Sequence, residues 1–320
     1  RLQMTSGSRG PIGAALVAVV LCGAVSVQLQ AVRDRIPLTT SDAETLYLTD
    51  RAVGRSVFTY RPLAADLYWI RAIQYFGGRA RIARARAADP LDPPPSISLV
   101  PPLSFDQLYP LLDVTTTLDP KFNIAYRFGA IFLAARYPEG PGRPDLAVQL
   151  LEKGLQSAPE KWQYWHDIGF VYYWNTHDYR KASEAFLHGA ALPGAPWWMR
   201  SLAATMLVRG GDRQTSRLLW RQLFETADNE YARTAAATKL MQLTALEDID
   251  QLQAVVDRMM ARTGQPIASW RTLVNAGVIR DTPRDPSGVP YELAPTGRVT
   301  LSQESKLFPL PVEPDAGTHQ

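Results

Sequence analysis

The chain has 320 residues, and 46% of them are hydrophobic, which is ample for a folded core and excludes a disordered polymer. Its 34 Lys+Arg against 31 Asp+Glu produce no strong field of either sign, so nucleic acid is not an expected partner. The single cysteine, Cys22, excludes an internal disulfide and a cysteine-based zinc site.

The first element in chain order is apolar. From Ile12 to Val27 the residues IGAALVAVVLCGAVSV carry no charge, and apolar character continues through Leu29, Ala31 and Val32. A run of about 20 such residues matches the hydrocarbon thickness of a bilayer. It is apolar on every face, unlike a core helix with a single apolar stripe. Residues 12–32 are therefore expected to form one transmembrane helix within an anchor at 1–35. Arg1 and Arg9 precede it and Arg33, Asp34 and Arg35 follow, so the charge asymmetry is weak. A short tail before the span and a long chain after it suggest a signal-anchor in the inner (cytoplasmic) membrane, with the bulk of the chain periplasmic or extracytoplasmic. Two other readings compete: a signal peptide cleaved after Ala24-Val25-Ser26, and lipidation at Cys22. Leu21 is large for the residue before a lipidated cysteine, and the apolar run continues past it.

After a lead-in at 36–63, a helical domain is expected over 64–263. ADLYWIRAIQYFG at 65–77 has helical apolar spacing, and SFDQLYPLLDVTTTLDP at 104–120 supplies its partner. Between them an insertion near 78–103 places Arg79, Arg81, Arg84 and Arg86 among small residues and then turns proline-rich. It reads as a solvated loop followed by an extended linker.

Downstream, the turn signals Leu118-Asp119-Pro120, Ala158-Pro159 and Leu192-Pro193 recur, and the last two prolines lie 34 residues apart. In the clearest unit Trp165, Ile168, Gly169 and Tyr172 mark a first helix and Ala182, Phe186 and Gly189 a second, with one extra residue in the turn at Asn175 to Asp178. Small residues there let paired helices approach closely while large rings fill the space between them. The preceding unit carries Ala125, Phe128, Gly129 and Phe132, then Ala147, Leu151 and Gly154, split by the loop YPEGPGRP at 137–144. The following unit has Ala203, Ala204 and Leu207, the turn Gly210-Gly211-Asp212, then Ser216, Trp220 and Leu223. A last pair is expected at Tyr231–Leu246 and Asp248–Arg262.

This period and these signature positions resemble the tetratricopeptide (TPR) repeat. The resemblance implies an all-α solenoid of antiparallel helix pairs, about five in number, that serves as a recognition scaffold without indicating a reaction.

The remainder, 264–320, reads as a short helix at Trp270 to Ile279 and a small irregular tail. Val289 to Leu293 and Arg298 to Leu301 flank Ala294-Pro295-Thr296-Gly297, which suggests a β-hairpin. The string Asp285-Pro286-Ser287-Gly288-Val289-Pro290-Tyr291 resembles the Asp-Pro-Trp-Gly-x-Pro-Tyr segment of type II secretion pseudopilins, and reads as a rigid turn that docks the tail on the last helices. Over residues 38–312 the layout resembles a group of single-pass bacterial envelope proteins with such repeats. The segments that carry the likeness are ADLYWIRAIQYFG, LDPKFNIAYRFGAIFLA, GFVYYWNTHDYRKA, LPGAPWWM and RDPSGVPYEL. That likeness implies an envelope scaffold serving a pilus, secretion or transport assembly.

Catalytic chemistry is not expected. His166, His177 and His188 fall on two helices and a turn, no HExxH or phosphate loop occurs, and neither a metal nor a cofactor is expected. Convergence of His166, His177 and a carboxylate would reopen that reading. The expected site is instead a protein-binding groove lined by Gln163, His166, Phe170, Tyr173 and Trp174, and extended in the preceding repeat by Tyr126. These lie one step around the helix from the packing stripe, and exposed aromatic rings grip a peptide with little entropy loss. Three alternatives stand beside this: an aromatic pocket for a glycan or lipid, a groove filled by the insertion at 78–103, and one filled by the tail after Gly264.

Overall fold

In the computed structural model the chain divides into two compact units, Arg1–Phe58 and Thr59–Gln320. Described are residues 60–88 and 104–314, and in the first unit Ala24, Val25 and Gln28, which are helical and exposed. The expected membrane segment at 12–32 thus lies outside the described residues except for those three. Among the described residues no helix is long and apolar enough to cross a membrane.

The second unit is built almost wholly of helices. They are α1 (Arg61–Ala87), α2 (Leu108–Leu118), α3 (Asn123–Ala134), α4 (Pro144–Ser157), α5 (Trp162–Val171), α6 (Tyr179–Ala190), α7 (Trp198–Arg209), α8 (Arg213–Thr226), α9 (Glu230–Thr263) and α10 (Trp270–Asn275). Each of α1 to α9 packs chiefly on its sequence neighbours, and α3 also touches α5. Helix starts follow from the sequence. Asp178, Asp212 and Asn229 cap α6, α8 and α9 by accepting from the backbone N–H of Lys181, Thr215 and Ala232 at 3.0, 2.9 and 2.8 Å. Pro144 opens α4, and Gly264 in the left-handed region closes α9.

Two expectations are corrected. The arginine-rich stretch after residue 78 is no loop, because α1 continues through it to Ala87. Alanine and arginine are strong helix formers, and Ala80 and Ala83 are buried against the domain. Likewise the last expected pair is one continuous helix of 34 residues. The stretch Leu246-Glu247-Asp248 has neither glycine nor proline to break it, and the C-terminal tail takes the place of the missing second helix.

Helix approach is set by glycines. A methyl group on Gly169 would lie 2.5 Å from the Phe186 ring, and one on Gly154 would lie 3.1 Å from the rings of both Tyr126 and Tyr164. At Gly129 it would meet Leu112 and Leu150 at 2.9 Å. Ala182 and Phe186 are fully buried, as are Ala125, Ala147 and Leu151. Between α5 and α6 the chain makes a π-helical turn, Tyr172–Thr176, which absorbs the extra residue of this repeat; it ends at His177 in the left-handed region (φ 56°).

The tail packs on α9 and α10 through Trp270, Leu273, Tyr291, Val299 and Leu307. Its hairpin pairs β1 (Glu292–Leu293) with β2 (Val299–Thr300) in antiparallel register, Glu292 opposite Thr300 and Leu293 opposite Val299. As expected, the Asp285–Tyr291 turn anchors it. Trp270 Nε1 donates to the Tyr291 carbonyl at 2.7 Å, and the Tyr291 hydroxyl donates to Asp248 at 2.9 Å. The Asp285 carboxylate, 4% exposed, accepts from the Ser305 and Ser287 hydroxyls and from the Ser287 and Val289 N–H groups. Burial pushes its pKa up, but these donors outweigh burial and hold it below the usual value.

Glycine substitutions at two kinds of site are expected to have opposite signs. Gly169→Ala forces a methyl into the Phe186 ring and should destabilise by about 1–3 kcal/mol. Gly77→Ala and Gly78→Ala, in α1 with open space at the Cβ, should each stabilise by about 0.5–1 kcal/mol. Denaturant unfolding of the full chain checks both.

The Asp285 carboxylate has a depressed folded-state pKa, so its stabilising contribution is complete above the unfolded value of about 4 and is lost as pH falls through the lower folded value. Asp285→Asn should flatten that acid limb, read as unfolding midpoints against pH.

Candidate functional site

α5 and the π-helical turn that follows it hold Gln163, His166, Phe170, Tyr173 and Trp174 together. The ring centroids of Phe170 and Trp174 lie 4.5 Å apart, those of Tyr173 and Trp174 5.7 Å, and those of His166 and Phe170 4.6 Å. Trp174 is 60% exposed, whereas Gln163, His166, Phe170 and Tyr173 are half-buried. His166 turns toward α7, where the Trp198 ring lies 5.5 Å away, and the Arg209 guanidinium sits 5.1 Å above the Tyr173 ring. The outermost surface of the stripe is therefore Trp174 with part of Phe170. His166 and Tyr173 fill the α5–α7 seam.

Tyr126 does not belong to the groove. It is fully buried, its hydroxyl donates to the Thr116 carbonyl at 3.4 Å, and its ring lies 5.4 Å from that of Tyr164. Burial raises the pKa of Tyr164 to about 12, with the neighbouring Tyr126 adding to the shift. The reason for the misplacement is rotational phase. The outward face of α3 is made by Ile124, Phe128 and Ile131, which are 51%, 51% and 60% exposed. Tyr126 is two residues from Ile124, which is about 200° around the helix axis. Phe128, expected as a packing position of the repeat, is thus turned outward, and Ile124 and Ile131 are not distinguished by the sequence because α3 is apolar on nearly every side. Their spacing of four and three was the available signal, but it competes with the equally apolar stripe through Ala125, Gly129 and Leu133.

A half-buried ion pair joins the two helices that carry these faces. Arg127 on α3 grips Asp167 on α5 through Nε and Nη2 at 2.5 and 3.0 Å, and Asp167 also meets His166 Nδ1 at 3.0 Å. The hydrogen bonds that Arg127 donates to Asp167 raise the Arg127 pKa against the opposing effect of burial. Trp69 and Phe76 of α1 stack on Phe132 of α3 at 6.1 and 4.3 Å, which braces the other side.

The three histidines are engaged separately. His177 Nδ1 meets the Tyr173 carbonyl at 3.0 Å, and His188 stacks on Trp165 at 4.8 Å. Among the described residues no group of three or more His, Cys, Asp or Glu is placed to hold a metal ion.

The tail covers part of this row of helices. Pro309 to Val312 lie against Thr205, Val208 and Arg209 of α7 and Lys239 and Leu243 of α9, and Glu313 pairs with Arg213. At Arg209 the covered surface meets the aromatic stripe, while the outward faces of α3 and α5 keep their exposure.

Comparison with protein-family models, curated proteins and solved structures finds no match to this chain.

The Arg127–Asp167 pair is 36% and 16% exposed at its two side chains. A double-mutant cycle with Arg127→Ala and Asp167→Ala is expected to show a coupling of about 1 kcal/mol in denaturant unfolding, within the range for partly screened bidentate pairs.

Proposed function

We propose that this chain is a TPR-type helical scaffold, tethered to the inner membrane by residues 12–32, that binds protein partners in a bacterial envelope assembly. One observation carries the binding reading: α3 exposes Ile124, Phe128 and Ile131, the π-helical turn after α5 exposes Trp174, and α3 and α5 are clasped by Arg127–Asp167. Large apolar side chains left exposed on neighbouring helices lose favourable burial unless something covers them. Preorganised rings are suited to gripping a helix or extended segment. Support for the repeat reading comes from the helix pairs closing on Gly169 and Gly154, with Phe186, Ala182 and Leu151 buried. The tether rests on the uncharged run at 12–32.

A glycan or lipid site is the second reading. It would call for an enclosed aromatic pocket. The three cavities described in this unit are lined by other residues, and Phe170 and Trp174 lie on an open face.

A photo-crosslinking residue placed at Phe128 or Trp174 in the full chain, in its native membrane, should capture the same protein, and Phe170→Ala should reduce the yield several-fold. The same residue at Glu184, exposed on α6, should not capture it. Equal yields from all three positions would overturn the groove. A C-terminal reporter active only in the cytoplasm would overturn the extracytoplasmic placement.

A further inference from the structure

Between α7, α9 and the tail lies a cavity of about 300 Å³, lined by Thr205, Arg209, Trp220, Lys239 and the backbone run Pro309 to Val312. Two cations line it, and none of its lining residues is acidic. The nearest tail carboxylate is already committed: Glu313 makes a bidentate pair with Arg213, whose other nitrogen reaches Asp250 at 2.6 Å. Lys239 Nζ has one neutral partner, Gln242 Oε1 at 2.8 Å, and Arg209 rests on the Tyr173 ring. Among the described residues neither cation meets a carboxylate. Burial lowers the Lys239 pKa with no opposing charge, the cost expected of a desolvated ammonium left unpaired. The remaining wall is polar through Thr205 and apolar through Trp220, Pro309 and Pro311. The room, the two cations in the lining and the lack of a counter-charge all fit a carboxylate, which a guanidinium and an ammonium bind by charge-assisted hydrogen bonds.

We propose that this cavity is a carboxylate-binding subsite, filled by an acidic side chain of an extended partner segment that continues onto Phe170 and Trp174. The partner half of this rests on the groove reading above, since Arg209 is the residue shared by the cavity and the aromatic stripe. The neighbouring tail contacts show the same chemistry: Gln242 Nε2 donates to the Leu307 and Pro309 carbonyls at 2.8 and 2.9 Å, and Glu313 is gripped by Arg213.

The test reads acylation of Lys239 by mass spectrometry in the full chain, with exposed Lys181 as the internal control. The probes are glutarate, its uncharged diamide, the peptide acetyl-Trp-Pro-Ala-Glu-Pro-amide and the same peptide with Gln for Glu. Glutarate and the Glu peptide should protect Lys239 saturably, while the diamide and the Gln peptide should not. The Glu peptide should act at about tenfold lower concentration than glutarate because of its second contact. Arg209→Gln should raise the protecting concentration about tenfold, Arg209→Lys should restore most of it, and Trp174→Ala should weaken the peptide alone. Absence of protection by either carboxylate, or equal protection by the uncharged probes, overturns the subsite. Protection by glutarate and the Glu peptide at equal concentration, insensitive to Trp174→Ala, overturns the peptide occupant and assigns the cavity to a free carboxylate.

Discussion

Contact between paired helices at glycine is the constraint on which the rest of the domain depends. Gly169 faces the Phe186 ring so closely that a single methyl group would not fit, and Gly154 admits the rings of Tyr126 and Tyr164 in the same way. Interiors are packed to crystal-like density, so this spacing fixes which residues fill the seam and which are turned out. With Phe186 seated against Gly169 and Ile168 buried beside it, Phe170 packs only partly on the Phe186 ring, at 5.3 Å, and Trp174 stays exposed. The exposed ring surface at the end of α5 and in the π-helical turn is thus a consequence of how α5 and α6 close.

The same packing logic explains the C-terminal end. A helix of 34 residues offers a long apolar face, and α8 covers only part of it. The remainder is covered by α10 and the hairpin, held by hydrogen bonds through Tyr291, Gln242 and Asp285. Polar groups drawn into such a seam must be satisfied, and the Asp285 carboxylate, with four donors, shows how an irregular tail meets that demand without a ladder. Lys239 is the contrasting case, a cation at the edge of the same seam with one neutral partner. Covered and uncovered surfaces meet at Arg209, between the tail and the Tyr173 ring.

Local signals placed most helix boundaries within a few residues, because caps and breakers act over one turn. Asp178, Asp212 and Asn229 mark helix starts by bonding backbone groups three residues on. The two boundary errors arose where such signals are weak. Arginine beside proline suggested a loop, yet alanine at 80 and 83 had a surface to bury against. A turn was expected near Asp248 from the repeat period alone, with no glycine or proline to make one. Within the aromatic stripe, the outward position of Trp174 could be read from its spacing. Tyr126 could not, because an almost uniformly apolar helix does not reveal which of its faces is turned inward.

The amino-acid sequence by itself determined the helical character of the chain, its glycine-mediated pairing, the hairpin and the docking turn at Asp285 to Tyr291. Each is a matter of local propensity or of a repeated spacing. Only the tertiary structure decided the rotational phase of α3, which buries Tyr126 and exposes Ile124, Phe128 and Ile131. It alone also decided that the tail substitutes for a helix along α9, and that Arg209 and Lys239, 30 residues apart in the chain, face one cavity without a carboxylate. Burial and charge pairing are relations between distant residues, and no local pattern encodes which neighbour will arrive.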